Sequence, residues 1–183
     1  MLPIDAVRDD VVETIKANQG VVVVGETGSG KTTRIPVFLY EAGLAEKGVI
    51  GVTEPRRIAA TSVAQYVATE LQSQLGDLVG YQVRFDAQVG DNTPVKFMTD
   101  GILLRELQID PDLTKYSVIM VDEAHQIGVS DTGIFLRILR HFKQAYKPMR
   151  LLGMSGTPFR GDTAIWGDNA LFKSKVGNIS AKY

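Results

Sequence analysis

Two short runs in this sequence carry residues that can do phosphate chemistry. The first is Gly25-Glu26-Thr27-Gly28-Ser29-Gly30-Lys31-Thr32, which fits G-x-x-x-x-G-K-[ST], the spacing of a loop that wraps nucleotide phosphates. Its glycines let the backbone come close and turn its N–H groups inward, making an anion nest at a helix start. Lys31 is placed to reach the β- and γ-phosphates, and the Thr32 hydroxyl to ligate Mg²⁺. The candidate contacts to a nucleoside triphosphate are therefore Gly25, Thr27, Gly28, Ser29, Gly30, Lys31 and Thr32, with Thr33 next in line. The second run is Asp122-Glu123-Ala124-His125. Asp122 suits a Mg²⁺ ligand acting through water, because Mg²⁺ keeps part of its hydration shell. Glu123 suits the group that takes a proton from, or orients, the attacking water. His125 is counted with Lys31 and Glu123 among the candidate catalytic residues. As a metal ligand it has no companions, since the sequence holds no other ligand cluster. The bland alternatives are a glycine-rich turn with no ligand and a solvated acidic turn.

A third group is basic. Thr53-Glu54-Pro55-Arg56-Arg57 follows a short apolar run, Arg84 sits between Tyr81 and Phe85, and Thr99-Asp100 closes another apolar run. Cations at a helix N-terminus oppose the macrodipole, so an anionic partner accounts for Arg56 and Arg57 better than a solvated face does. Phosphodiester oxygens are the obvious candidate, with Arg84 and the Thr99 hydroxyl able to track the same backbone. Each of these signals, taken alone, is also compatible with ordinary surface decoration.

These residues need strands and helices to hold them. Val21–Val24 reads as a strand buried on both faces, as in a parallel sheet. Ile4, Val7, Val11, Val12 and Ile15 make one helical stripe over 4–18, and the segment after Lys31 is helical as far as Gly43. Strands are expected at 49–53, 95–99, 117–121 and 149–154, the last clear one. Helices are expected at 57–75, 101–107 and 134–142, and 80–86 reads as a loop or short extended piece. Strands alternating with helices specify a parallel α/β sheet with ligands at the carboxyl ends of its strands. The tail from Pro158 is less periodic, and Trp166 and Phe172 are expected to fold back as core.

At 183 residues the chain is the size of one domain, large enough to need no metal or disulfide staple. It has no cysteine, which excludes disulfides and thiolate metal sites and fits a reducing compartment. No signal peptide and no apolar run of about 20 residues is visible, so the expected setting is intracellular, cytoplasmic or nuclear, with no membrane. Net charge is −1, so nucleic acid must be met by one basic face and not by a polycation.

Taken together, GETGSGKTT, EPRRIAATSVAQ, GYQVRFD, MTDGILLRE and DEAH, with Ser155–Thr157 after them, resemble the first RecA-like lobe of the DEAH-box RNA helicases of superfamily 2. The resemblance covers nearly the whole chain. It implies a three-layer α/β RecA-like P-loop NTPase domain with a mostly parallel central sheet, binding ATP and Mg²⁺. It also implies that Arg57, Arg84, Thr99 and, less firmly, Arg56 contact single-stranded RNA. His125, Ser155 and Thr157 look like couplers that relay nucleotide state. Tyr66 stands where members of the family often carry an Arg that stacks on the base, and it either stacks likewise or packs in its helix. Gly156 replaces the family's Ala, Pro158-Phe159-Arg160 stands where Leu-Asp is usual, and Gln126-Ile127 replaces Glu-Arg. Nothing after Thr157 matches the family's second lobe, so the chain reads as part of a longer helicase. The expected activity is RNA unwinding or translocation driven by ATP, with a protein activator a further partner. The rivals are a nucleotide-gated RNA or protein clamp, a DNA helicase of the same superfamily and a small-molecule kinase.

Overall fold

The computed structural model describes residues 1–124 and 149–157, and the backbone of 159–160, 163–164 and 174–179. His125, the expected 134–142 helix, Trp166 and Phe172 lie outside the described residues. The element order is α1 (Arg8–Ala17), β1 (Gly20–Gly25), α2 (Lys31–Glu41), β2 (Val49–Glu54), α3 (Arg57–Glu70), β3 (Val79–Val83), β4 (Asp86–Gln88), β5 (Val95–Thr99), α4 (Asp100–Ile109), β6 (Tyr116–Val121) and β7 (Arg150–Ser155). Beyond these come β8 (Phe159–Arg160), β9 (Thr163–Ala164) and β10 (Ser174–Ile179). A 3₁₀ turn, Pro3–Val7, precedes α1.

One eight-stranded sheet runs in the order β10-β1-β7-β6-β2-β5-β3-β4. Every neighbouring pair is parallel except β3 and β4, which form an antiparallel hairpin at one edge. The pleat explains why the central strands are apolar throughout. Val21 and Val23 point into one core with Ile15, Ile35, Phe38, Ala60 and Ala64, from α1, α2 and α3. Val22 and Val24 point into a second core with Met98, Ile102, Leu103 and Ile119, under α4. Helices on both faces of the sheet make the three layers. Phe38 is fully buried between the guanidinium groups of Arg8 and Arg34, whose carbons lie 5.5 and 5.4 Å from its ring centre. Under α4 a buried polar knot joins Lys96, Glu106 and the Tyr116 hydroxyl, with Lys115 3.1 Å from the same carboxylate. Among the described residues no helix is long and apolar enough to cross a membrane.

Of the two readings of 80–86, loop or short extended piece, the structure takes the extended one: residues 79–83 form a paired strand, and 86–88 turn back along it. Two expectations need correction. Helix α3 stops at Glu70 instead of reaching 75. There Ser73 N–H donates to Ala68 C=O and Gln72 N–H to Thr69 C=O, with Gln72 left-handed at φ 51°, the double bond of a Schellman ending. The strand at 150–155 is not the last, because Ser174–Ile179 pairs in parallel with β1 at the sheet edge. The register jumps from Val23↔Val176 to Val24↔Asn178, so Gly177 is the extra residue of a bulge.

Candidate functional site

The strand order gathers the chemistry. β1 and β6 are separated only by β7, so their carboxyl ends lie about 10 Å apart, two strand spacings. Register aligns them: Val24 pairs with Ser155 and Val121 with Gly153. The loop after β1 and the acidic pair after β6 therefore open on the same edge.

The loop is built around a buried lysine. Gly28 and Gly30 take φ of 82° and 94°, a left-handed conformation that side chains disfavour, and this carries the chain into α2. Ser29 N–H closes the turn on Glu26 C=O at 3.1 Å. Lys31 Nζ donates to Gly25 C=O at 2.5 Å, to Glu26 C=O at 2.9 Å and to Ser29 Oγ at 3.3 Å. Burial pulls the Lys31 pKa down, while Asp122 and Glu123 push back toward the charged form. The ammonium thus sits inside the loop facing the acidic pair, where a triphosphate can exchange for the carbonyls it now holds.

Thr32 Oγ1 donates to Asp122 Oδ1 at 3.5 Å, across 90 residues of sequence. A hydroxyl and a carboxylate at one point are the hard oxygen donors that Mg²⁺ takes, with phosphate and water filling the remaining positions. Among the described residues no cluster of three or more His, Cys, Asp or Glu could cage a metal by itself. The donor set therefore fits a nucleotide-borne Mg²⁺ and not a structural metal. Asp122 N–H is anchored on Thr53 C=O at 3.2 Å. Burial, then the neighbouring Glu123, raises the Asp122 carboxyl above its usual range. Glu123 holds a left-handed backbone at φ 51°, a strain that costs about 1–3 kcal/mol and gathers at functional positions.

A cavity of about 350 Å³ joins these groups, lined by Leu2, Thr27, Gly28, Gly30, Lys31, Thr32, Thr33, Tyr66, Asp122, Glu123, Ser155 and Gly156. Gly25 and Ser29 stand behind the wall and hold Lys31. Tyr66 is half exposed at the cavity. Ser155 is buried at the end of β7, and Thr157 N–H donates to its Oγ at 3.2 Å. Among the described residues, a methyl added at Gly156 would meet only Gly25 C=O, at 3.9 Å.

A second cavity of about 770 Å³ opens along the same edge toward β3. Arg57, Arg84 and Thr99 line it together, with Phe85, Gly101 and Arg105, while Arg56 is not part of the wall. Arg56 is instead the extended residue that starts α3, and it makes no side-chain cap bond. The Arg84 guanidinium lies over the Phe85 ring at 4.8 Å. Phe85 is almost fully exposed and left-handed at φ 67°.

A profile for the DEAD/DEAH box helicase family matches residues 5–164 of this sequence. The chain belongs to that family. Among curated DEAD/DEAH box helicases it is 51% identical over 144 residues to "Pre-mRNA-splicing factor ATP-dependent RNA helicase DEAH10" of Arabidopsis thaliana. It is 48% identical over 148 residues to "Probable ATP-dependent RNA helicase DHX40" of Homo sapiens. These alignments take in 78% and 81% of the chain but only 20% and 19% of the two relatives, so it spans about one fifth of their length. The mixed α/β sheet with helices on both faces is consistent with the RecA-like domain of such helicases.

Four residues of this helicase domain escaped the sequence reading. Leu2 reaches the first cavity from just before the stretch expected to be a helix over 4–18. Arg105, four residues after Gly101 on α4, could have been found from that spacing. Phe85 entered only as a neighbour of Arg84. Glu54 reads as part of a turn but is 3% exposed, with Oε1 lacking a hydrogen-bond partner among the described residues. Burial and then Asp122 raise its pKa to about 8.

Proposed function

We propose that this domain is the ATP-binding and ATP-hydrolysing lobe of an RNA helicase. The observation that carries the reading is the meeting of Thr32 and Asp122 at 3.5 Å, with Lys31 held in the loop between them and Glu123 beside them. In this reading Gly25, Thr27, Gly28, Ser29, Gly30 and Thr33 shape the phosphate cradle, and Tyr66 lies under the base. Thr32 and Asp122 hold Mg²⁺, which when bound neutralises charge on the phosphate oxygens. Lys31 binds the β- and γ-phosphates, and Glu123 orients the attacking water and accepts its proton. Single-stranded RNA runs along the second cavity, its phosphates on Arg57, Arg84 and Thr99, with Arg56 at the margin. His125, Ser155 and Thr157 couple the two events, Ser155 lining the nucleotide cavity and Thr157 bonded to it. A second RecA-like lobe, in the longer protein, completes both sites. The names of the two relatives, each an ATP-dependent RNA helicase, support RNA as the polymer. DNA is the alternative, because contacts to phosphate alone do not read the 2′-hydroxyl.

In the full-length protein Lys31→Ala abolishes nucleotide binding, whereas Glu123→Gln keeps binding and lowers turnover at least about a hundredfold, the usual span of a lost general base. Unimpaired hydrolysis by the Glu123→Gln protein removes that residue from the mechanism. Strand displacement by the full-length protein separates a helicase from a clamp that hydrolyses ATP without unwinding.

A further inference from the structure

The glycine loop is braced from outside by residues 2–5. A methyl added at Gly30 would fall 2.7 Å from Leu2 Cδ1 and 3.0 Å from Ile4 Cγ2, so this segment lies directly over the hinge that starts α2. Ile4 is fully buried, and its N–H donates to Ser29 C=O at 3.2 Å. Ser29 is itself fully buried, and its Oγ accepts from Lys31 Nζ at 3.3 Å. The segment therefore touches the two loop residues that precede the lysine. Asp5 closes the shape of this strap. Leu2 N–H donates to Asp5 Oδ2 at 2.7 Å, and Asp5 N–H returns a bond to Leu2 C=O at 2.9 Å.

Arg34 fixes the strap to the rest of the lobe. Its Nε donates to Asp5 Oδ1 at 2.8 Å and its Nη1 to Glu70 Oε1 at 2.5 Å, while its guanidinium carbon stands 5.4 Å from the centre of the buried Phe38 ring. The side chains of Arg34, Asp5 and Glu70 are only 24%, 19% and 30% exposed, so these charge-assisted bonds are screened less than surface pairs. Arg34 lies one turn after Lys31 on α2, and Glu70 ends α3. One guanidinium thus joins the strap, the helix that the loop starts and the last turn of the neighbouring helix. The loop needs such a hold, because Gly28 and Gly30 leave its backbone free to take other shapes. We propose that Arg34 is a positioning residue for the phosphate loop, acting through the Asp5 strap. This rests on the nucleotide reading above and adds to it the residues that keep the loop in its anion-binding shape. Without the tie the loop spends less time in that shape, and apparent affinity for any triphosphate falls in proportion. Turnover at saturation is unchanged, since bound phosphates select the competent loop.

The test uses the full-length protein with Mg²⁺ present. Arg34→Gln and Asp5→Asn each raise KM for ATP about threefold to tenfold, leave kcat within about twofold, and weaken calorimetric binding of inorganic tripolyphosphate by the same factor as KM. The two substitutions together lose no more than the worse single variant, because each breaks the same tie. Arg8→Gln is the control. Arg8 flanks the same Phe38 ring, at 5.5 Å, but pairs with Glu41 at the far end of α2, and its replacement moves none of these values. Unchanged KM in both variants, a fall in kcat with KM unmoved, additive losses in the double variant, or an equal effect of Arg8→Gln overturns the proposal. Wild type that binds neither ATP nor tripolyphosphate overturns the nucleotide reading, and the positioning role goes with it. A second measurement needs no variant. The Ile4 amide, bonded to Ser29 C=O, exchanges its hydrogen more slowly once tripolyphosphate binds, because strap and loop open together. An Ile4 amide that exchanges at one rate with and without tripolyphosphate rules the brace out.

Discussion

Glu54 is the residue whose surroundings most constrain the site. It is buried at the carboxyl end of β2, facing Asp122 and, farther off, Asp100 and Glu123, and its pKa is raised from 4.5 to about 8. Asp100 is raised as well, by burial first. A carboxyl that binds its proton more tightly folded than unfolded stabilises the fold at low pH. That contribution is complete below pH 4.5 and is lost as pH climbs through the folded value near 8. The metal-free protein therefore loses stability between pH 5 and pH 8, and Glu54→Gln flattens that slope, since the amide keeps the hydrogen bond without the charge. Urea titrations at the two pH values, in the presence of a chelator, check this; a slope unchanged by Glu54→Gln would rule it out. The same crowding of carboxyls favours a cation, which Lys31 supplies in part and which, in the proposed reading, Mg²⁺ on a triphosphate would complete. Lys31, Thr32, Asp122 and Glu123 were legible as types at fixed spacing. Glu54 was not, because nothing local says that a glutamate before Pro55 is buried; only the pairing of β2 with β5 and β6 covers it.

Among elements, helix α3 shows how a local choice sets a boundary. Its Schellman ending places a glutamine where glycine is the usual residue, at φ 51°. Gln72→Gly removes the left-handed strain and gains about 0.5–1 kcal/mol after the extra chain entropy of glycine is counted. Thermal and urea unfolding measure it, and a loss of stability would show that the Gln72 side chain has a role of its own. The same residue is why the sequence ran the helix on to 75: without a glycine, the apolar spacing through Leu71 carried past the true end. The 79–88 hairpin was half legible: Gly80 and exposed Asp86 left 80–86 open between a loop and a short extended piece, and the pairing of β3 with β5 decides it. β10 was missed because Gly177 breaks the alternation at the bulge. Its partner β1, in contrast, was plain from four valines in a row. Gly156 lies at the opposite extreme of constraint. Among the described residues the methyl of Gly156→Ala meets no atom closer than 3.9 Å, so this variant is expected to fold normally and, in the full-length protein, to raise RNA-stimulated hydrolysis if a looser backbone there weakens coupling. Steady-state turnover with and without RNA reads the effect.

On the scale of the whole molecule, the sheet puts the two cavities on one edge, the phosphate-loop cavity over β1, β7 and β6 and the basic groove over β2, β5 and β3. A chain of net charge −1 concentrates its useful positive charge in Arg57, Arg84 and Arg105 along that groove. Binding of single-stranded RNA to the full-length protein accordingly weakens with salt, and Arg84→Ala lowers the slope of log K against log salt by about 0.7, one phosphate contact on a single strand. A slope unchanged by Arg84→Ala places the RNA elsewhere. The chain covers about one fifth of its curated relatives, and the resemblance assigns the arginine fingers and the other half of the groove to a second lobe. Fingers of this kind raise turnover about 10³–10⁵-fold in other NTPases, so the prediction for residues 1–183 alone is nucleotide binding with slow hydrolysis, read by steady-state turnover against the full-length protein.

The central claim is that the glycine loop and the acidic pair close on one magnesium-bound triphosphate. The direct measurement is calorimetric affinity for a non-hydrolysable ATP analogue, with and without Mg²⁺, in wild type and in Asp122→Ala. Wild type is expected to gain affinity with Mg²⁺, and Asp122→Ala to bind the metal-free analogue at least as well as wild type but to lose most of that gain. An Asp122→Ala protein that keeps the whole Mg²⁺ gain contradicts the claim.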